Sequence, residues 1–154
     1  MPEYNFRAIK NQKMLTREMV FLLSELDREF FPTPWSFDSW QDLFFENERL
    51  LVLLFCNESV IGFCLFNISP EDSFAHLLKI LIHPEKRHIG LASILLNKAT
   101  SELDEIGCSK LYLEVEENNY AAISLYSSSG FHSILTKKNF YGEGRSALIM
   151  TRGQ

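Results

Sequence analysis

Residues 83–96, HPEKRHIGLASILL, join an apolar run of strand length to a helix through a basic turn that contains a glycine. No Ser, Thr, Asp or Asn lies between Pro84 and Ala92, so the usual capping side chains are missing from the start of this helix. Its first backbone N–H groups and the positive end of its dipole therefore face outward. This feature predicts a strand–turn–helix unit whose turn can bind an anion.

The spacing of apolar residues predicts seven strands and four helices in the order β, α, α, β, β, β, α, β, α, β, β. The predicted strands are Tyr4–Ile9, Arg49–Cys56, Val60–Phe66, Phe74–Ile82, Lys110–Val115, Phe131–Phe140 and Ser146–Thr151. The predicted helices are Thr16–Phe30, a short segment capped by Ser36, a segment from about Ile89 to Ile106, and Ala121–Ser129. Strands that come in a run and then alternate with helices predict an α+β or mixed α/β fold, a mixed sheet with helices on its faces.

Three local signals refine this prediction. Asn57-Glu58 separates two apolar strands and predicts a hairpin. Gly107 lies where a glycine commonly ends a helix. The buried stripe of the helix before it is predicted from helical spacing, and its members are Leu91, Ile94, Leu95, Leu103 and Ile106.

Length and charge limit the class of protein. A chain of 154 residues without repeats or a linker predicts a single domain over residues 1–154. The net charge of −5 argues against nucleic acid as a partner. We expect no membrane partner either, because no apolar run reaches the length of a span and the N-terminus lacks a signal-peptide pattern. Three cysteines without framework spacing predict reduced thiols and a cytoplasmic location.

The glycine turn has two interpretations from its residues alone. Arg87 and His88 flank the turn, Gly90 allows backbone to approach a ligand, and Ala92 keeps that approach open. These residues favour a phosphate or pyrophosphate seated on residues 88–93. The alternative is a helix start that water satisfies. The turn is neither a nucleotide P-loop nor a dinucleotide-binding fingerprint, because the required residues are missing.

Two motifs together resemble those of the GCN5-related N-acetyltransferase (GNAT) superfamily. Residues 87–92, RHIGLA, resemble its Q/R-x-x-G-x-G/A motif, and residues 119–126, NYAAISLY, fit N-x-x-A-x-x-L-Y with Gly130-Phe131 after them. Within the superfamily the chain resembles the ribosomal-protein-alanine N-acetyltransferases of the RimI type. That likeness rests on residues 34–36 (PWS), 113–115 (LEV) and the C-terminal segments NFY, GR and ALIM.

The resemblance implies the GNAT fold, a central mixed and mostly antiparallel sheet flanked by helices on both faces, and acetyl-CoA as acetyl donor. It implies Glu114 as general base and Tyr126 as general acid. The residues that would bind the cofactor are Ile80, Leu81 and Ile82 along the pantetheine arm, Arg87, His88, Ile89, Gly90, Leu91, Ala92 and Ser93 around the pyrophosphate, and Asn119. It also implies a protein N-terminus as the acceptor, namely the α-amine of the N-terminal alanine of a small-subunit ribosomal protein.

Strand alternation and ordinary pKa values bear on the implied roles of Glu114 and of the acceptor amine. Strand alternation places Glu114 on one face with Tyr112 and Glu116, and repulsion between the two carboxylates would raise the pKa of at least one. An α-amine is about a tenth neutral at pH 7, whereas a lysine is neutral in about one molecule in 2,500. A single carboxylate base therefore favours an N-terminal acceptor. A lysine or small-molecule amine stays open as an alternative, and so does a CoA-binding module without catalysis.

Three positions depart from the family pattern. Lys79, Glu116 and Ser146 replace residues usual in the family, and we expect these departures to affect binding of the acceptor more than binding of the cofactor.

The four histidines lack metal-ligand spacing, so no metal is expected. Cys56 and Cys64 lie in apolar strands, where a buried thiol is the usual outcome. Trp35 and Trp40 can line an acceptor groove or belong to the core.

Overall fold

The computed structural model describes residues 2–153 as one seven-stranded sheet with four α-helices. The strand order is β1-β2-β3-β4-β5-β7-β6, and only the β4–β5 pair is parallel. The strands are β1 (Tyr4–Ile9), β2 (Arg49–Cys56), β3 (Ser59–Ser69), β4 (Phe74–Ile82), β5 (Lys110–Glu116), β6 (His132–Lys137) and β7 (Ala147–Arg152). The helices are α1 (Arg17–Phe30), α2 (Phe37–Gln41), α3 (Leu91–Glu105) and α4 (Tyr120–Ser128).

Side chains named in the sequence begin and end these elements. Thr16 and Ser36 accept backbone N–H groups at the starts of α1 and α2, at 3.2 Å and 3.1 Å. Gly107 follows α3 with φ +83°, the left-handed conformation typical of a helix end. The β2–β3 hairpin turns at Asn57-Glu58, as predicted. The predicted bounds agree with the structure to within a few residues, and the mixed, mostly antiparallel sheet is confirmed.

The two faces of the sheet carry separate apolar clusters. Helices α3 and α4 pack on one face and α1 and α2 on the other, as expected for a sheet sandwiched between helices. One predicted core residue of α3 is wrong: Ile94 is 49% exposed. The helix instead buries Leu96 and Ala99, because the face in contact with the sheet is turned by about one residue from the predicted stripe.

Strands β4 and β5 pair over only three residues each and then diverge. Their register runs from Phe74 opposite Lys110 to His76 opposite Tyr112. A bulge in β4 follows at once, since Leu65 of β3 faces Lys79 while Phe66 faces Leu77, which leaves Leu78 as the extra residue. A bulge bends its strand and increases the local twist. Beyond His76, one edge of β4 therefore opens toward a gap in the sheet.

Two further observations concern residues 2–153. Within this range, each helix is either too short or too polar to cross a membrane. Cys56, Cys64 and Cys108 are free and buried. The prediction that Cys56 and Cys64 are buried in the strands is therefore confirmed.

Candidate active site

A cavity of about 640 Å³ lies in the gap between β4 and β5. Its walls come from the end of β4, the start of α3, helix α4 and two loops, one before α2 and one after β6. It brings together most of the residues predicted for the site: Ile80, Leu81, Ile82, Arg87, His88, Gly90, Leu91, Ala92, Ser93, Glu114, Asn119 and Tyr126. Ile89 does not line it, and the Ile89 side chain is 58% exposed.

One end of the cavity is made of backbone. Gly90 is the N-cap of α3 with φ +84°, and no side chain within residues 2–153 caps this helix start. The helix therefore begins two residues later than predicted, because left-handed backbone at Gly90 cannot be helical. The backbone N–H groups of the first turn have no partner within the helix. Leu91, Ala92 and Ser93 line the cavity, so this end presents donors and about half a positive charge.

The turn before α3 is held by its own contacts. Arg87 Nε donates to the carbonyl of Ile82 at 2.8 Å and joins the turn to the end of β4. His88 has φ +66°, a left-handed conformation that non-glycine residues adopt infrequently and that clusters at functional sites. Lys86 and Arg87 add positive charge to the rim of the cavity. This end of the cavity suits an anion.

Helix α4 forms a second wall. Its N-cap Asn119 accepts the N–H of Ala122 at 3.2 Å, so the Asn119 amide N–H₂ remains as a donor at the edge of the cavity. Tyr126 lies on the inner side of the helix and is 7% exposed. Burial raises the pKa of its phenol above the ordinary value. Tyr126 is therefore a protonated donor within the same cavity as Glu114.

Glu114 projects from β5 on the face opposite α3, as strand alternation predicts. Its Oε1 lies 2.7 Å from Nε2 of His76, across the point where β4 and β5 separate. The His76 ring stacks on Tyr112, with centroids 4.0 Å apart and planes at 9°. The sequence gives no indication of the His76–Glu114 pair, because the two residues are 38 positions apart.

Glu116 is paired with an arginine from the loop after β6. Arg145 donates to both of its carboxylate oxygens, at 2.8 Å and 3.0 Å. These hydrogen bonds lower the pKa of Glu116, the opposite of the rise that repulsion from Glu114 would cause. Both carboxylate oxygens of Glu116 are thus engaged by Arg145, whereas Glu114 has a side-chain partner within residues 2–153 at Oε1 only.

Lys79 is buried, and the structure gives it a partner the sequence did not suggest. Its ammonium lies 2.7 Å and 2.8 Å from the two carboxylate oxygens of Asp27 in α1, and their side chains are 3% and 0% exposed. Asp27 also accepts the backbone N–H of Trp35 and the indole N–H of Trp40, at 2.8 Å and 2.9 Å. Burial lowers the pKa of Lys79, and Asp27 acts against that shift.

This ion pair fastens the α1–α2 loop to the sheet. The Lys79 ammonium donates to the carbonyl of Thr33 at 3.2 Å and lies over the rings of Phe31 and Trp35 at 4.4 Å and 4.9 Å. Phe31 and Thr33 also line the cavity. Of the two tryptophans, Trp40 is fully buried in the core.

Other chemistries predicted to be weak have little to support them. Within residues 2–153, no group of three potential ligands is arranged to hold a metal ion. Burial raises the pKa of the Cys64 thiol, which removes it as a nucleophile near neutral pH. A smaller cavity of about 370 Å³, which Trp35 and Arg49 help to line, shares no residue with the large one.

Comparisons with known proteins agree with this geometry. Residues 17–131 match the sequence model of the Acetyltransferase (GNAT) family. The chain is 33% identical over 133 residues to the [Ribosomal protein bS18]-alanine N-acetyltransferase of Haemophilus influenzae, which covers 83% of this chain and 88% of that protein.

Two solved structures extend the comparison to the fold. The ribosomal-protein-S18-alanine N-acetyltransferase from Escherichia coli superposes with a TM-score of 0.81 and 25% identity, over 97% of this chain and 94% of that one. Arabidopsis thaliana NAA60 in complex with acetyl-CoA superposes with a TM-score of 0.83 and 18% identity, over 98% of each chain.

Proposed function

Because this chain belongs to the Acetyltransferase (GNAT) family and is an acetyl-CoA-dependent N-acetyltransferase, we propose that it acetylates the α-amine at the N-terminus of a protein. The proposed acceptor is the N-terminal alanine of a small-subunit ribosomal protein. The observation that carries the proposal is the pairing of Glu114 and Tyr126 in one cavity with the open start of α3. The names of the bacterial relatives support the choice of acceptor.

The residues of the cavity fit acetyl-CoA in two ways. The uncapped N-terminus of α3, with Lys86 and Arg87 beside it, suits the pyrophosphate. The free edge of β4 at Ile80–Ile82 borders the gap and can pair with an extended amide-containing chain as an added strand would. We assign the pyrophosphate to residues 87–93, the pantetheine arm to residues 80–82, and a further contact to Asn119.

In the proposed mechanism Glu114 accepts a proton from the acceptor ammonium, directly or through one water, and frees the nitrogen lone pair. Bound acetyl-CoA supplies the acetyl group as a thioester. The acceptor nitrogen bonds to the acetyl carbon as the carbon–sulfur bond breaks, without an acyl-enzyme, and the nitrogen then releases its second proton to solvent to give the neutral amide. Tyr126 donates its phenol proton to the departing sulfur, which leaves as the CoA thiol, and the phenolate takes up a proton from solvent to restore the acid. Burial keeps that proton in place, because it raises the pKa of Tyr126.

An α-amine suits this site better than a lysine. The site offers one carboxylate for deprotonation, since Arg145 holds Glu116. At pH 7 about a tenth of an α-amine is already neutral, against about one lysine in 2,500. Deprotonating a lysine therefore costs about 3 kcal/mol more.

The direct test compares two peptides in one reaction with acetyl-CoA, read by mass spectrometry. The first peptide begins with the free alanine of the ribosomal protein that the relatives' names identify. The second has the same sequence with a blocked N-terminus and an internal lysine. We expect acetylation of the first peptide only, on its α-nitrogen.

Acetylation of the lysine peptide at a comparable rate would contradict the proposed acceptor and favour a lysine acetyltransferase. A third peptide, identical to the first but beginning with a bulky residue, tests the preference for alanine. Equal rates on the first and third peptides would leave the α-amine as acceptor and remove alanine from the proposal.

A further inference from the structure

We propose that His76 is a positioning residue for Glu114: its Nε2–H holds Oε1 of the carboxylate and leaves Oε2 free for the acceptor amine. The inference rests on the proposed role of Glu114 as base. It adds a residue that neither the sequence motifs nor the family comparison identifies. Its basis is the 2.7 Å contact between the two side chains, which are 21% and 18% exposed.

The direction of the hydrogen bond follows from the chemistry of the two groups. An ionised carboxylate only accepts hydrogen bonds, so Nε2 of His76 must carry the proton. A charge-assisted bond of this length is among the stronger side-chain hydrogen bonds. With one oxygen engaged by the imidazole, the other oxygen of Glu114 is the one available to the acceptor.

The imidazole is itself fixed by its neighbours. Its ring lies parallel to that of Tyr112, and Tyr112 stacks on Phe74 with centroids 4.7 Å apart. His76 and Tyr112 are also the last paired residues of β4 and β5. The backbone on both sides of the hydrogen bond is therefore held in register at the apex of the gap, whereas Glu114 lies just beyond it, where the strands are no longer paired.

The hydrogen bond from His76 restricts the Glu114 side chain at the point where β4 and β5 diverge. The backbone of Glu114 is still paired with Ile149 of β7, but a glutamate side chain that borders the gap has several rotamers open to it, and a base misplaced by about 1 Å can lose about a hundredfold in rate. The bond from His76 selects one rotamer. Because His76 is not among the residues that line the cavity and touches it through Glu114, we expect it to influence deprotonation of the acceptor and not the binding of acetyl-CoA.

The test is a double-mutant cycle on turnover with the alanine peptide as acceptor. His76→Phe keeps a ring that can stack on Tyr112 and removes the donor. His76→Gln removes the ring and keeps an amide donor near the place of Nε2. We expect His76→Phe to lower kcat by about ten- to a hundredfold with little change in the KM for acetyl-CoA, and His76→Gln to recover part of the loss.

The cycle closes with Glu114→Gln and the double variant. If His76 acts through Glu114, His76→Phe has no further effect once Glu114 is replaced. An independent readout is the ¹⁵N resonance of the imidazole, which we expect to report the tautomer protonated at Nε2. Calorimetric titration of acetyl-CoA into each variant should give an unchanged dissociation constant, which shows that the variants are folded.

The possible results distinguish an error about His76 from an error about the proposed base, Glu114. If Glu114→Gln abolishes turnover while His76→Phe leaves it unchanged, or if the tautomer is protonated at Nδ1, the inference about His76 is wrong and the role of Glu114 stands. If the effects of the two substitutions simply multiply, His76 acts independently of Glu114 and the inference is again wrong. If Glu114→Gln leaves kcat intact, the proposed base is wrong and the inference fails with it.

Discussion

The two ends of the large cavity differ in their chemical groups, since one is mainly backbone and the other mainly side chains. The end at the start of α3 consists of backbone N–H groups and one left-handed glycine, all within residues 83–93. The other end consists of side chains from α1, β4, β5 and the loop after β6, joined by the Lys79–Asp27 and Arg145–Glu116 ion pairs and the His76–Glu114 hydrogen bond. Backbone N–H groups are the same for any side chain, so many sequences can form a site of the first kind for the same ligand. A site made of distant side chains depends on the particular residues of one chain. This difference supports our proposal that the first end binds the cofactor and the second end binds the acceptor.

The strongest way to break this comparison is to remove the cation of the buried ion pair. Lys79→Met leaves the carboxylate of Asp27 buried without its partner, which we expect to lower the free energy of unfolding by about 3–5 kcal/mol. Thermal or denaturant unfolding measures the loss. Where the variant remains folded, the KM for the acceptor peptide should rise and the affinity for acetyl-CoA should not change, because Lys79 fixes Phe31 and Thr33 on the acceptor side.

A matched control separates the missing cation from the missing packing. In the double variant Asp27→Asn with Lys79→Met the buried charge is gone from both sides, while the amide oxygen can still accept the N–H groups of Trp35 and Trp40. Its stability should recover most of the loss. A double variant as unstable as Lys79→Met would show that the shape of the lysine matters more than its charge.

A substitution at the other end should affect only the cofactor. Gly90→Glu places a carboxylate at the open start of α3, where it competes with the pyrophosphate for the N–H groups and the helix dipole. We expect the affinity for acetyl-CoA to fall by about 10- to 100-fold, measured by calorimetry.

Gly107→Glu is the control for the cost of the left-handed conformation. Gly107 has φ +83°, nearly the same as Gly90, and a Cβ at either position would meet open space. Both variants should lose similar stability. An equal loss of acetyl-CoA affinity in both would contradict the assignment of the pyrophosphate to the start of α3.

The smallest expected effect concerns alkaline pH. Because burial raises the pKa of Tyr126, the phenol keeps its proton above its usual range, and its donor role should not fade below about pH 10. The profile of kcat should therefore show no fall between about pH 8 and pH 9.5 that is due to Tyr126. A fall in that window that disappears in Tyr126→Phe would contradict the assignment of Tyr126 as a buried acid.

The same contrast explains what the sequence could predict. The turn at residues 83–93 was predictable because its signal is local: a missing cap and a glycine next to a strand. The motif around Asn119 likewise identified a wall of the cavity. The motif also includes Ile89, whose side chain is exposed, because a motif fixes the path of the backbone and not the direction of each side chain. Only the backbone of Ile89 can contribute to the predicted cofactor site.

The acceptor end was predicted only in part, for a physical reason. Glu114 was identified by resemblance and by strand alternation, but its partner His76 and the partners of Lys79 and Glu116 were not. Each of these contacts joins residues at least 29 positions apart, so no local spacing reports them. The bulge at Leu78, which sets the side-chain directions of Lys79 and its neighbours, also has no clear signal in the sequence.

The most direct test of the account is a crystal structure of the protein with CoA bound. We expect the pyrophosphate at the backbone N–H groups of residues 90–93, the pantetheine arm along Ile80–Ile82, and the thiol in the gap that Glu114 and Tyr126 line. A pyrophosphate bound away from α3, or a thiol remote from Glu114, would contradict the division of the cavity into a backbone end for the cofactor and a side-chain end for the acceptor.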